Sequence, residues 1–246
     1  MSLPCNNKHH DPRLHLGTDG VIELLAWTRR LIAPNGTLIL HIYGRMPSMA
    51  MENFADLVVN MEEVSSAQRM LRMHEVPLVT VLAESIPRSP CPSYRSDRTR
   101  ERNQNNIAHH VVLGMFPWSG GTGGATYEET LKLFRSFKPY RLGEYRFHDA
   151  LTGAVRTSSE DVFGAVYASD DDAIVVISNT SGERREGVVW MVKPDMSGFR
   201  AAAKIEVRDP HMGQVRQVSR RALADGSLKV DLNGYEYRLF ELRSVQ

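Results

Sequence analysis

Apolar positions in the first half of the chain fall into blocks that alternate between helical and strand spacing. Val21, Leu24, Leu25 and Ile32 recur at helical intervals and predict an amphipathic helix. Thr18 or Asp19 stands where a short side-chain oxygen caps first-turn N–H groups, and Pro34-Asn35-Gly36 ends the pattern. The run 37–43 (TLILHIY) is short, apolar and rich in strand formers, as a parallel strand buried on both faces would be. Residues 55–61 (ADLVVNM) predict a second strand ending at Glu62-Glu63, residues 65–74 a helix, and residues 76–82 a third strand ending near Glu84. The Pro- and Arg-rich stretch 88–106 reads as a long loop entering a helix that runs toward Met115. WSGGTGG (118–124) reads as a break, and residues 127–137 as a further amphipathic helix.

After about residue 141 the period changes. Short strand-like runs begin at Phe163, Ala173, Gly187, Lys204, Gln214, Ser227 and Tyr235. Asp170-Asp171-Asp172, Ser181-Gly182-Glu183 and Asp225-Gly226 punctuate them as turns. Strands at this spacing without a helical pattern between them predict a sandwich or small barrel. The expected fold class is therefore α/β plus all-β, with an α/β part over residues 1–140 and an antiparallel β part over 141–246. No internal repeat is evident.

Composition narrows the partners more than the fold. Hydrophobic residues make up 42% and charged residues 24% of the 246, so a globular chain is expected. Thirty basic and 29 acidic residues leave a formal charge of +1, which gives no electrostatic reason to expect nucleic acid or a membrane surface. No apolar run approaches the roughly 20 residues that span a bilayer. The first residues lack the apolar core of a secretion signal, so a cytoplasmic chain is expected if Met1 is the native start. Two distant cysteines, Cys5 and Cys91, do not make a disulfide framework.

In parallel α/β folds, functional side chains gather at the C-terminal ends of strands, where loops converge. That rule selects His41 and Tyr43, then Asn60, Glu62 and Glu63, then Glu84. A carboxylate on such a rim can serve as acid, base or nucleophile. Glu62 and Glu84 are the catalytic candidates, and His41, Tyr43, Asn60 and Glu63 the substrate-binding ones. Glu52 and Asn53, in the connection before the second strand, are further candidates for a polar ligand, whereas Asp56 is expected to satisfy turn backbone. Cys5, His9, His10 and His15 match no standard zinc spacing, and GGTGG lacks the Lys-Ser/Thr of a phosphate loop, so no metal or cofactor is expected. His109-His110 is expected on a helix with one ring buried and one exposed. Trp118 and Phe116 are rings that could stack on a sugar, with core packing the expectation for Phe116.

PCNNKHH, the helix ELLAWTRRLIAPNG, the strand TLILHIYG, the segment PSMAMENFADLVVNMEE and the terminal GYEYRLFEL together resemble the later part of glycoside-hydrolase-like (β/α)8-barrel proteins that end in an amylase-type β-sandwich. The resemblance covers most of the chain and is one of segments, without an active-site signature. It implies a partial (β/α) barrel over 1–140, N-terminally truncated, followed by a C-terminal β-sandwich over 141–246. It also implies carboxylate acid/base chemistry on a carbohydrate, with Glu62 matching a late-strand acid. A whole barrel takes roughly 250 residues, so the partner acid has no position here and this chain alone is expected to be inactive. An open barrel edge would favour self-association.

Two other readings compete. LLAWTRRLIAPNGTLILHIY resembles the late helix-turn-strand of S-adenosylmethionine-dependent methyltransferases, although no Gly-rich cofactor loop precedes it. A non-catalytic carbohydrate-binding protein could use Tyr167, Trp190, Tyr235 or Tyr237, which the two-residue period otherwise assigns to the core.

Overall fold

The computed structural model describes residues 18–41, 54–60, 89–92, 100–116, 125–170, 172–193 and 204–245. Helix α1 (Thr18–Ile32) buries Leu25 and leaves Leu24, Trp27 and Leu31 exposed. Its end closes where Gly36 N donates to Ile32 O at 2.7 Å, next to the expected stop at Pro34-Asn35-Gly36. Strands β1 (Ile39–His41), β2 (Leu57–Asn60) and β3 (Ser89–Pro92) follow as a parallel sheet in that order.

β3 corrects the sequence reading, which made residues 88–106 a loop as far as the next helix. Its SPCP sequence hides a strand because proline lacks the N–H that a ladder uses. β3 is the last strand of the described sheet, and an outer strand tolerates proline because the missing donors can fall on the unpaired side.

Helices α2 (Arg100–Val111) and α3 (Ala125–Phe137) come next. Two antiparallel sheets complete the chain. One has the order β10-β9-β12-β7-β6-β4 and the other β11-β8-β5. Their strands are β4 (Arg146–His148), β5 (Val155–Thr157), β6 (Val162–Ala168), β7 (Asp172–Asn179), β8 (Arg185–Val192), β9 (Lys204–Asp209), β10 (Gln214–Ser219), β11 (Leu228–Leu232) and β12 (Tyr237–Val245). The seven expected runs all appear as strands. β4 and β5 are additional, each three residues long and too short to show a period. A five-residue helix α4 (Arg220–Ala224) also intervenes between β10 and β11. It is capped by Ser219, whose Oγ accepts from Ala222 N at 3.1 Å, and it buries Leu223.

The two antiparallel sheets pack on a common core. Val175, Ile177, Phe240 and Leu242 of the larger meet Val155, Val188, Trp190 and Leu228 of the smaller, and the Trp190 and Phe240 rings lie 4.8 Å apart. The opposite face of the larger sheet is covered as well. Ala165, Tyr167, Ile174, Val176 and Leu239 pack there against Ile107 and Val111 of α2 and Leu133 and Phe137 of α3. All but one residue in each of β6 and β7 is therefore buried, which explains their unbroken apolar runs. β11 has a single covered face and alternates strictly. The helices before residue 141 thus share a core with the strands after it.

β5 passes so close to β6 that a Cβ on Gly164 would stand 2.2 Å from Val155 Cγ1. Gly164→Ala is expected to cost about 1–3 kcal/mol in urea denaturation. Gly143→Ala, with nothing within 4 Å of the added carbon, should stay within about 0.5 kcal/mol of wild type. Equal midpoints for the two variants would show that the sheets are not packed this closely.

Candidate functional site

The parallel sheet sets the geometry of the candidate rim. Ile39 stands opposite Leu57, Leu40 opposite Val58 and His41 opposite Val59, so β1 and β2 run the same way and finish together. His41 and Asn60, their last residues, lie one register position apart at the C-terminal edge, and Asn60 faces Pro92 of β3. Backbone positions of two substrate-binding candidates are thus neighbours. Tyr43, Glu52, Asn53, Glu62, Glu63 and Glu84 lie outside the described residues, as do the expected helix 65–74, the expected strand 76–82 and Cys5, His9, His10 and His15. Trp118 lies outside them too.

At the other ends of these strands Asp56, expected to satisfy the backbone of its own turn, bonds instead to groups distant in the chain. Arg29 donates to its two carboxylate oxygens from Nη1 at 2.5 Å and Nη2 at 2.9 Å. Leu38 N donates to the same carboxylate at 2.8 Å, while Asp56 N donates to Leu38 O at 2.8 Å. One side chain therefore ties α1 to the starts of β1 and β2. Both partners are over a third exposed, so the contact sets geometry more than it adds stability.

Helix α2 corrects a second expectation. Both His109 and His110 are buried, together with Asn103, Asn105 and Asn106. The helix sits between the sheet and α3, so its polar residues are enclosed along with its apolar ones. Each imidazole donates from Nδ1 to the carbonyl four residues back, His109 to Asn105 at 2.9 Å and His110 to Asn106 at 2.7 Å. Asn103 donates to Thr130 Oγ1 of α3 at 3.3 Å. The sequence carries no signal for this, since RERNQNNIAHHV has too few apolar residues for a buried stripe. Burial pushes His110 down to about 4, against the pull of its bond to the Asn106 carbonyl and with a further push from His109.

Of the aromatic candidates, Trp190 and Tyr167 are enclosed, the first between the sheets and the second under the helices. Phe116 packs against Phe137, with centroids 5.1 Å apart, as core packing predicts. Tyr235 and Tyr237 remain partly exposed. Among the described residues no group of three or more His, Cys, Asp or Glu side chains is placed to hold a metal ion.

No protein-family profile and no curated protein sequence matches the chain. Solved structures do. The fold is similar to that of a noncanonic maltogenic α-amylase from Thermotoga neapolitana, with a TM-score of 0.55 and 10% identity, over 91% of this chain and 59% of that one. An α-amylase from Geobacillus thermoleovorans, solved with acarbose, matches with a TM-score of 0.53 and 11% identity over 96% and 59%. An Anoxybacillus α-amylase matches with a TM-score of 0.50 and 10% identity over 92% and 56%. The chain spans less than two thirds of the length of each of the three, and at these identities the likeness is one of fold.

His110 generates a pH prediction. Its folded pKa is depressed, so between about 4 and the ordinary histidine value near 6.5 the unfolded chain holds the extra proton. The contribution of the neutral ring is complete above about 6.5 and is lost as pH falls toward 4, at roughly 1.4 kcal/mol per unit. Wild-type stability is expected to drop by up to about 3 kcal/mol across that window, and His110→Gln should flatten the profile by about one proton. Equally steep profiles in urea titrations would show that another group controls the acid limb.

Proposed function

We propose that this chain joins late strands of a (β/α) barrel, over residues 1–140, to an amylase-type β-sandwich over 141–246, in a glycoside-hydrolase-like protein that acts on or recognises a carbohydrate. The observation that carries the proposal is a parallel three-stranded unit followed by two antiparallel sheets, similar in fold to α-amylases over more than nine tenths of the chain. The second core, where α2 and α3 meet the six-stranded sheet, is then the seam between barrel and sandwich.

In this reading the substrate lies on the rim that ends β1 and β2. His41, Tyr43, Asn60 and Glu63 hold sugar hydroxyls, and Glu52 and Asn53 contribute from the connection before β2. Glu62, two residues beyond the end of β2, is the leading acid/base group, and Glu84 is the second carboxylate of the rim. No metal or organic cofactor enters the scheme. Residues 1–140 are fewer than a whole barrel uses, so turnover is assigned to a protein that supplies the remaining strands. Leu24, Trp27 and Leu31 on α1 and Ile39 on the outer strand β1 are exposed apolar side chains that further strands and helices would cover. Left uncovered, they favour self-association of the chain.

Two assays test this. The 246-residue chain should hydrolyse aryl glycosides no faster than buffer, and robust turnover would contradict the assignment of activity to a larger barrel. In a protein carrying the complete barrel, Glu62→Gln should lower kcat by about 10²–10⁴-fold. An unchanged kcat would remove Glu62 from the mechanism.

A further inference from the structure

A polar groove runs along helix α3 on the helix-covered side of the six-stranded sheet. One end is a cavity of about 220 Å³ between α2, α3 and the turn 233–237, with Gln104, Asn233 and Tyr235 among its walls. The other is an open cavity of about 750 Å³ reaching Tyr140, Arg208, His211 and Glu241. Arg100, Glu129 and Lys132 line both, so the two cavities are neighbours along the helix.

Its charges are largely matched. Glu129 pairs with Arg100 at 2.6 Å, Glu236 with Arg238 at 2.7 Å, and Glu241 with Arg208 at 3.7 Å. A groove without a field of one sign does not select an ion. What it offers is amides, carboxylates and guanidinium groups that exchange hydrogen bonds with hydroxyls, beside tyrosines held in place. Tyr140 donates to Glu241 Oε1 at 2.8 Å and Tyr237 to Ser136 Oγ at 3.3 Å.

Tyr235 supplies an independent observation. Its φ of 57° is the one positive value among the described non-glycine residues. Glu236 N donates to Asn233 O at 3.3 Å, which puts Tyr235 at the third position of a turn, where glycine is the natural occupant. The surroundings enforce this backbone. Tyr235 N donates to Ser181 O at 2.9 Å, Asn179 Nδ2 to Asn233 O at 2.9 Å, and Asn233 N to the Glu236 carboxylate at 2.8 Å. Gly182 lies against the ring, with space for a Cβ only 3.2 Å from its hydroxyl oxygen. These bonds hold Tyr235 at the end of the groove, with its hydroxyl end resting on Gly182.

We propose that this groove binds a neutral oligosaccharide along α3, with Tyr235 closing one end of the site. The choice of ligand rests on the carbohydrate reading above, and the site uses none of the rim residues. The test titrates the full chain calorimetrically with maltoheptaose and with xylohexaose. At least one should bind saturably. Tyr235→Gly should weaken that binding roughly tenfold or more while the thermal midpoint stays at or above wild type, because the backbone strain is relieved. Lys132→Ala, at an exposed position and hence without effect on folding, should weaken it too. Arg156→Ala, exposed on the smaller sheet and outside both cavities, should bind as wild type does. Binding of neither sugar, or unchanged affinity in both groove variants, would overturn the proposal. Affinity lost in Glu62→Gln and kept in the groove variants would overturn it while leaving the rim reading intact.

Discussion

The central strands β6 and β7 of the six-stranded sheet are covered on both faces, and much of the described structure follows from that. Alternate residues of one strand serve two different cores: Val175 and Ile177 face the smaller sheet, while Ile174 and Val176 face the helices. A one-residue slip of β7 would exchange the two sets and misfit both at once, so its register with β6 and β12 is specified twice. Close packing tightens this further. Gly164 lets Val155 approach one face of β6, and Tyr167 on the other face stacks near Phe147 at 4.5 Å and Phe137 at 6.1 Å.

Covering a sheet twice leaves its polar groups without water, and Ser178 and Asn179 of β7 are satisfied by particular partners. Ser178 donates to the carbonyl of Ala108 at 2.8 Å, bonding β7 to α2 through the helix-side core. Asn179, fully buried at the end of β7, donates to the carbonyls of Glu183 and Asn233 and accepts from Ser181. One amide thus organises the two turns that hold Tyr235. The left-handed backbone at Tyr235 is therefore a consequence of sheet burial: the groups that enforce it are fixed by the core below.

The two candidate binding regions differ in how they are built. The rim belongs to a parallel sheet whose strands start at the Arg29–Asp56–Leu38 contact and finish together, a geometry that gathers loop residues over the strand ends. The groove lies beside a helix packed on antiparallel strands, and its side chains come from α2, α3, β9, β12 and the 233–237 turn. Such a groove is rigid because its walls are secondary structure.

Period and composition alone determined the helices at 18–32 and 125–137, a helix before Met115 whose first turns were read as loop, the parallel arrangement at the start, and the strand-rich part after residue 141, because apolar spacing is a local property that each element carries by itself. Three matters were decided only by tertiary structure. Proline-rich SPCP becomes a strand because β2 offers it a ladder. The polar RERNQNNIAHHV helix becomes buried because it packs against both a sheet and another helix, and Tyr235 takes a left-handed backbone because Ser181, Asn179 and Glu236 meet around it. Each depends on residues distant in the chain, and the spacing of residues within a segment carries no information about what will be packed against it.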